Sequence, residues 1–229
     1  TLDPETDTDY DPEDVLEIVD LVMSMRNSER LIPILGWLYA ASVRTYIQEW
    51  EGDFNSAHVS GEAGAGKSLS IAELWKLFGM NGKPMEVSDT KFSLITAMAS
   101  SKSIPMWYDE YKPGDMSDYE VDRFQNLMRK TTGGGVATRG NADKSTEQYT
   151  LMAPILISGE QRIQGNAEER RSVQTRFLKN VQEDGSKTQI AYSKLTGSDY
   201  QDASETTQYP EARDLSKHAL SFYQFILGL

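Results

Sequence analysis

The stretch GEAGAGKS at residues 61–68 decides the fold prediction, because its spacing is G-x-x-x-x-G-K-[ST] with a third glycine at position 64. Glycines reach backbone angles that let successive N–H groups point inward at an anion, and the N-terminus of a following helix adds its dipole. The stretch therefore predicts a loop that binds the phosphates of a nucleotide. The residues of this predicted loop are Gly61, Glu62, Ala63, Gly64, Ala65, Gly66, Lys67 and Ser68.

Two side chains of the loop have specific predicted roles. The ammonium group of Lys67 is expected on the β- and γ-phosphates, and the hydroxyl of Ser68 on Mg²⁺, whose other ligands would be phosphate oxygens and waters. The alternative is a glycine-rich turn that matches the pattern by chance. The context argues against chance, because the sequence predicts a strand near 55–60 before the loop and a helix near 67–79 after it.

Beyond the loop, short apolar runs alternate with helical patterns, which is typical of a parallel sheet with crossover helices. The predicted positions are strands near 84–88, 103–109, 153–158 and 175–182, and helices near 90–101 and 118–131. The segment 132–152 is glycine-rich and then alternating, so it predicts a loop and a β-hairpin. The sequence thus predicts an α/β P-loop NTPase with a central, mostly parallel sheet flanked by helices.

We predict three regions along the chain. Residues 1–52 form an acidic tail and a helical lead-in, residues 53–182 form the P-loop core with its inserted hairpin, and residues 183–229 form a polar segment and a C-terminal helix at 213–227. The chain opens on TLDPETD without methionine and closes on FILGL, which suggests a domain of a longer protein.

A second motif is expected in a nucleotide hydrolase, namely an apolar strand that ends in acidic residues. The segment SIPMWYDEY at 103–111 supplies it. Asp109 is expected to hold a water on Mg²⁺, and Glu110 is expected to polarise the attacking water as a general base. The alternative is an exposed acidic turn at the end of a strand.

A third apolar segment, APILISGE at 153–160, ends in a polar residue. At the tip of that strand Ser158 could bond both the γ-phosphate and the attacking water, so Ser158 is the candidate sensor. A simple strand end without this role is the alternative.

Four arginines follow within the segment 162–176: Arg162, Arg170, Arg171 and Arg176. The planar guanidinium group fits phosphate and can neutralise transition-state charge on a nucleotide held by a neighbouring subunit. Arg170 and Arg171 are the leading candidates for this role. Surface salt bridges with Glu168 and Glu169 are the alternative.

Composition excludes several classes of function. The net charge of −12 over 229 residues argues against a uniformly basic nucleic-acid-binding surface, although a local basic strip is still possible. The absence of cysteine excludes disulfides, thiolate metal sites and cysteine nucleophiles. The most apolar segment, 31–43, is shorter than the ~20 residues of a membrane span, and no signal peptide precedes it. We therefore expect a cytoplasmic protein without a membrane partner.

The tryptophans are predicted to be core residues: Trp37, Trp50, Trp75 and Trp107.

Taken together, five segments resemble the P-loop ATPase domains attached to primases in phages, plasmids and integrated elements. These domains are similar to superfamily 3 helicases and to the wider AAA+ and RecA-like class. The resemblance covers roughly residues 55–180. The segments that carry it are GEAGAGKS, IPMWYDEY, ATRGNADKST, APILISGE and AEERRSVQTRF.

The resemblance implies ATP as the nucleotide, a homo-oligomeric ring of six subunits with ATP between them, and single-stranded DNA in the central pore. It makes Arg139 and Lys144 on the hairpin candidates for contacts with DNA phosphates. The sequence departs from the family at the sensor position, which is Ser158 rather than asparagine or threonine, and the hairpin has few aromatic residues.

The predicted function is ATP hydrolysis coupled to movement on DNA or to its unwinding, in the replication of a mobile element. Two alternatives belong to other classes. One is an AAA+ switch or protein-remodelling ATPase that does not translocate on DNA. The other is a P-loop kinase of small molecules, which the adjacent acids Asp109 and Glu110 make less suitable because they favour activation of water.

Overall fold

A computed structural model describes most of the chain, and its elements follow the predicted alternation. The described residues are 12–140, 145–163, 165–179, 186–198, 200–201, 206–207 and 213–227. In chain order the elements are α1 (Pro12–Ser24), α2 (Ser28–Ser42), α3 (Arg44–Glu51), β1 (Ser56–Ser60), α4 (Lys67–Leu77), β2 (Met85–Glu86), α5 (Lys91–Ala99), β3 (Met106–Tyr111), α6 (Asp118–Thr132), β4 (Val136–Gly140), β5 (Thr146–Thr150), β6 (Ile155–Gly159), α7 (Asn166–Arg170), β7 (Ser172–Arg176), α8 (Lys187–Thr196), β8 (Tyr200–Gln201), β9 (Thr206–Thr207) and α9 (Ser216–Leu227).

The chain divides into two compact units. The sheet unit comprises residues 29–68 and 83–179, and the helical unit comprises residues 1–28, 69–82 and 180–229. The sheet unit contains the phosphate-binding motif and the acid pair, so the candidate site is described within it. Among the described residues, no helix combines the length and the apolar character that crossing a membrane requires.

The central sheet of the sheet unit has five strands in the order β2-β3-β6-β1-β7. Every pairing in it is parallel. Because the carboxyl ends of parallel strands lie at one edge of a sheet, the segments that follow β1, β3 and β6 come together there. This confirms the predicted α/β fold with a central parallel sheet, and it places the tip of β6 between the glycine loop and the acid pair.

Two inner strands of the sheet are buried along their whole length. All residues of β1 and β6 are buried, as expected for parallel strands covered on both faces. Helices α5 and α6 share a hydrophobic core with β3 and β6, in which Phe124 packs edge-on against Tyr108 with ring centroids 5.2 Å apart. A capping box, in which Ser117 and Glu120 bond each other's backbone N–H groups, starts α6.

The last strand of the sheet corrects the predicted strand at 175–182, since β7 is Ser172–Arg176. As an edge strand, β7 is half-buried along its whole length, so its sequence SVQTR is mostly polar. The apolar pair Phe177 and Leu178 lies inside the predicted strand, but in the structure these residues follow β7.

The tryptophan prediction holds at three positions and fails at one. Trp37, Trp75 and Trp107 are each 5% exposed, whereas Trp50 is 80% exposed. Trp50 lies in α3, whose last turn ends at Gly52 in a left-handed conformation. The prediction was wrong because it relied on the nearness of Trp50 to an apolar stretch of the sequence. Nearness along the chain does not place a side chain on the buried face of its helix, and the side chain of Trp50 is exposed.

The helical unit contains a helix that the sequence pattern did not indicate. Residues 187–196 of the predicted polar segment form α8, which Ser186 caps by accepting a hydrogen bond from the N–H of Gln189. The buried residues of α8 are Ala191, Ser193 and Leu195. Because small and polar side chains occupy the buried face, the apolar period is weak.

Ion pairs join α1 to the segment around the start of α9 in the helical unit. Lys217 Nζ lies 2.5 Å from Asp14 Oδ2, and Arg213 Nη2 lies 2.6 Å from Glu17 Oε1. A ring nitrogen of His218 is 2.9 Å from the carbonyl oxygen of Leu77. The final helix predicted at 213–227 is observed at Ser216–Leu227.

A buried histidine in β1 predicts a pH dependence of stability. His58 is fully buried, its Nδ1 accepts a hydrogen bond from the N–H of Ile163 at 3.3 Å, and its Nε2 has no partner within the described residues. Burial, with a smaller effect of Arg162, lowers the pKa of His58 from 6.5 to about 4. The unfolded chain therefore binds more protons than the folded chain between these pH values, and stability falls as pH decreases through this window.

Because of His58, we expect the free energy of unfolding to decrease by about 2 kcal/mol when the pH is lowered from 7 to 5. Denaturant unfolding at several pH values measures this loss. His58→Asn keeps a hydrogen-bond acceptor without a titrating ring, so its stability curve should be flatter over this window. A curve parallel to that of the unmodified chain would contradict the assignment.

Candidate nucleotide-binding site

The glycine loop connects the end of β1 to the start of α4 and needs glycine at specific positions. A Cβ at Gly61 would lie 2.5 Å from the carbonyl oxygen of Phe177, so no larger residue fits there without a shift of the backbone. Gly64 and Gly66 have φ values of 75° and 69°, in the left-handed region that glycine adopts without strain. The N–H groups at the start of α4 follow directly, as in an anion-binding loop.

Lys67 lies across its own loop. Its Nζ donates hydrogen bonds to the carbonyl oxygens of Gly61 at 2.7 Å and Glu62 at 3.0 Å. Burial lowers the pKa of Lys67, and the negative charges of Asp109 and Glu160 partly oppose that shift. The ammonium group is thus held at the loop, where incoming phosphate oxygens would meet it.

A chain of hydrogen bonds joins the loop to the tips of β3 and β6. The hydroxyl of Ser68 donates to Asp109 Oδ2 at 2.6 Å, and the hydroxyl of Ser158 donates to Asp109 Oδ1 at 2.6 Å. The indole N–H of Trp107 donates to Ser158 Oγ at 2.7 Å. The hydroxyls of Ser68 and Ser158, which come from separate predicted motifs, therefore both contact the carboxylate of Asp109. Trp107, predicted only as a core residue, orients the hydroxyl of Ser158.

A β-bulge shapes the acid pair. Tyr108 pairs with Ile157 and Tyr111 with Gly159, so β3 uses three residue steps where β6 uses two. Glu110, inside this bulge, has a φ of 61° and is the one non-glycine residue with positive φ among the described residues. Bulges and such backbone strain occur often at functional sites, where they redirect a side chain. Here the bulge changes the direction of Glu110 relative to Asp109.

Glu110 and Glu160 share a cation that the sequence analysis missed. Lys112 Nζ lies 2.6 Å from Glu110 Oε2 and 3.3 Å from Glu160 Oε1. These two carboxylates raise the pKa of Lys112 through hydrogen bonds. No pattern of the sequence indicates Lys112, because the bulge at Glu110 interrupts the side-to-side alternation of an extended strand.

The donor set around Ser68 fits Mg²⁺. A hydroxyl and a carboxylate oxygen are hard ligands, and Mg²⁺ in nucleotide sites keeps several waters and phosphate oxygens. No group of three or more His, Asp or Glu side chains is arranged to hold a metal in the part of the chain that the structure describes. Ser68 and Asp109 would therefore hold Mg²⁺ only together with nucleotide oxygens and water.

The arginine candidates lie at two different edges of the sheet. The carbonyl of Arg171 accepts a hydrogen bond from the N–H of Ser56 at the start of β1, whereas Arg176 pairs with Ser60 at its end. Arg170 and Arg171 border a cavity of about 540 Å³ at the amino-terminal edge. The length of β1 separates them from the glycine loop by about 13 Å, from a rise of ~3.3 Å per residue. They do not meet the loop of their own chain.

Arg176 lies beside the glycine loop instead. Its Nη2 is 3.9 Å from Glu62 Oε1, and Lys179 Nζ is 3.9 Å from Glu62 Oε2. A Cβ on Gly64 would contact the side chain of Lys179 at 3.8 Å. Lys179 is a further basic residue at the site that the sequence analysis did not select. Both cations lie beside the glycine loop and face the carboxylate of Glu62.

The predicted hairpin is observed as β4 paired with β5. The guanidinium of Arg139 stacks over the ring of Phe92, 3.8 Å from its centroid. The ring of Phe92 in turn packs edge-on against Tyr149, which donates a hydrogen bond to Glu147. Lys144, the other predicted DNA contact, lies outside the described residues. The structure therefore holds Arg139, near the turn end of β4, on an aromatic surface.

The parallel sheet and the glycine loop at its carboxyl edge define a P-loop NTPase fold. No protein-family model matches the chain, and no curated protein matches it. Solved structures do align with the chain, at low sequence identity. A candidate ATPase from Cytophaga hutchinsonii aligns with a TM-score of 0.46 and 11% identity, over 93% of this chain and 63% of that one.

The other two structures carry the printed name helicase. An active helicase, Cch of SCCmec type IV, aligns with a TM-score of 0.47 and 14% identity, over 82% of this chain and 36% of that one. The JCV helicase, in complex with a small molecule, aligns with a TM-score of 0.46 and 10% identity, over 96% of this chain and 62% of that one. This chain thus spans less than two thirds of the length of each of the three.

Proposed function

We propose that the chain binds ATP with Mg²⁺ at residues 61–68 and hydrolyses it. The observation that carries this proposal is the chain of hydrogen bonds from Ser68 through Asp109 to Ser158. It joins the end of the phosphate-binding loop to the two strand tips where the acid pair and the sensor were predicted. A glycine-rich turn without a nucleotide has no need for this convergence.

Each residue has one proposed role. Lys67 contacts the β- and γ-phosphates in place of its two loop carbonyls, and Ser68 and Asp109 hold Mg²⁺ and its water. Mg²⁺ would supply positive charge that offsets the charge developing on the transferred phosphoryl group. Glu110 accepts the proton of the attacking water, and Ser158 orients that water and the γ-phosphate.

The placement of Arg170 and Arg171 supports a head-to-tail assembly of the chain. Since these arginines lie at the sheet edge opposite the loop, they reach a nucleotide only when it belongs to a neighbouring subunit. A contact between two different surfaces of identical chains produces a closed ring when its rotation closes. We propose a homo-oligomeric ring, a hexamer by resemblance, with AAA+ type geometry and arginines acting between subunits.

Single-stranded DNA is the proposed partner of this ring, contacted by Arg139 and Lys144 of the hairpin, so that hydrolysis drives movement on or unwinding of DNA. A second function, an ATPase switch or protein-remodelling module, is favoured by one observation. The guanidinium of Arg139 is held over Phe92, and a DNA phosphate would have to compete with that contact.

DNA stimulation of ATP hydrolysis distinguishes the two functions. We expect single-stranded DNA to increase phosphate release several-fold at low salt, where phosphate contacts are strongest. The double variant Arg139→Ala with Lys144→Ala should lose the stimulation and keep basal turnover. A matched control is Lys83→Ala with Lys102→Ala, which removes two exposed lysines outside the hairpin and should keep the stimulation. Absence of stimulation in the unmodified chain would favour the switch.

A further inference from the structure

Three carboxylates crowd the carboxyl edge of the sheet beside the glycine loop. Asp109 and Glu110 lie in the bulge of β3, and Glu160 directly follows β6. A nucleotide with several negative charges must approach this edge. Asp109 already has the hydroxyls of Ser68 and Ser158 as donors, whereas the other two carboxylates share Lys112.

Glu110 lacks the restraints that hold Asp109. Its side chain is 68% exposed, so without a partner its carboxylate would occupy several rotamers. The positive φ of Glu110 sets the direction of its Cβ but not the position of the carboxylate. The side chain of Lys112 is only 33% exposed, and its ammonium group contacts Glu110 at 2.6 Å.

Lys112 also connects two strands. Because Glu160 follows β6 and Glu110 lies in β3, the bridge through Lys112 spans the tips of both strands. Ser158, the proposed sensor, lies two residues before Glu160. The bridge therefore joins the strand that carries the base to the strand that carries the sensor.

We propose that Lys112 is a positioning residue that holds the carboxylate of Glu110 where it accepts the proton of the attacking water, with Glu160 as the second anchor of the bridge. This inference rests on the proposed ATP hydrolysis and adds a residue to it. Lys112 acts through Glu110 and makes no contact of its own with the reacting atoms. A general base works only within a narrow range of positions, so a displaced carboxylate lowers the rate of the chemical step more than it lowers nucleotide binding.

The test compares kcat and KM for ATP in variants of Lys112. Lys112→Met keeps the length of the stem and removes the charge, and we expect kcat to fall about tenfold while KM changes less than about threefold. Lys112→Arg keeps a cation that can bridge two carboxylates and should restore most of the turnover. As a control, Lys102→Ala removes an exposed lysine that precedes the amino-terminal end of β3. Its kcat and KM should equal those of the unmodified chain.

A double variant separates positioning from a merely structural role. In the Glu110→Gln background the carboxylate is absent, so Lys112→Met should lower turnover no further. The inference is overturned if Lys112→Met turns over normally, if its loss persists in the Glu110→Gln background, or if Lys112→Arg rescues nothing. If Lys112→Met turns over normally and Glu110→Gln is inactive, the positioning role of Lys112 is wrong but the proposed ATPase function is kept. If the unmodified chain does not hydrolyse ATP, both the ATPase function and the role of Lys112 are wrong.

Discussion

Glu110→Gln is expected to bind ATP and stall, with kcat lowered about 10²- to 10⁴-fold, because the variant keeps the shape of the side chain and loses the group that accepts the proton of water. Nucleotide affinity should stay near that of the unmodified chain, since the loop and the carboxylate of Asp109 are unchanged. Steady-state phosphate release and equilibrium binding of a fluorescent ATP analogue measure the two quantities.

Backbone strain at position 110 provides a control that separates chemistry from folding. At a φ of 61° glycine is unstrained, whereas alanine pays about 1 kcal/mol. Glu110→Gly should therefore be more stable than Glu110→Ala, although glycine usually destabilises a strand, and both should be inactive. Normal turnover by Glu110→Gln would show that another group acts as the base.

Lys67→Ala is expected to weaken ATP binding about 10- to 100-fold, from the ~1.5–3 kcal/mol of a hydrogen bond to a charged group. The loss has a second source in this chain. Lys67 also bonds the carbonyl oxygens of Gly61 and Glu62, so its removal loosens the loop itself. Calorimetric titration with ATP and with ADP measures the change.

The matched control for Lys67 is Lys76→Ala in the last turn of the same helix. Lys76 is half exposed and pairs with Glu73 at 2.8 Å, so the variant removes a lysine from α4 without touching the loop. Its ATP affinity should equal that of the unmodified chain. Equal loss in both variants would show that the effect comes from the helix as a whole and not from phosphate contact at Lys67.

The parts of the fold that were predicted correctly are those in which backbone geometry or burial restricts the residue type at a particular spacing. The glycines of 61–68 occupy left-handed or crowded positions, and Asp109 follows the buried residues Trp107 and Tyr108 near the end of β3. Buried parallel strands such as β6 are also visible in the sequence, because most of their residues are apolar. These constraints act locally along the chain, so they are visible in one sequence.

The parts that were not predicted depend on contacts between distant segments. The position of Arg170 and Arg171 at the opposite edge follows from the register of β7 against β1, which no local pattern encodes. Trp107 has the same apolar neighbours whether or not its indole reaches Ser158. Lys112 became part of the site only through a bulge that redirects Glu110, and a bulge has no marker in this sequence.

The edge strand and the helix α8 illustrate a different limit. In both elements some of the buried or half-buried side chains are polar, so a buried position is not always an apolar one. Ser193 is 2% exposed although it is polar, and the residues of β7 are half-buried although most are polar. Pattern-based prediction weakens wherever the buried face of an element is not apolar.

The proposal depends on the loop 61–68 and Asp109 binding one Mg²⁺–nucleotide complex. A crystal structure of the chain with Mg²⁺ and a non-hydrolysable ATP analogue would show this arrangement. We expect the triphosphate within the loop, the metal about 2.1 Å from Ser68 Oγ, and a metal-bound water on Asp109. A nucleotide bound elsewhere, or a metal on the far side of the sheet from Asp109, would contradict it.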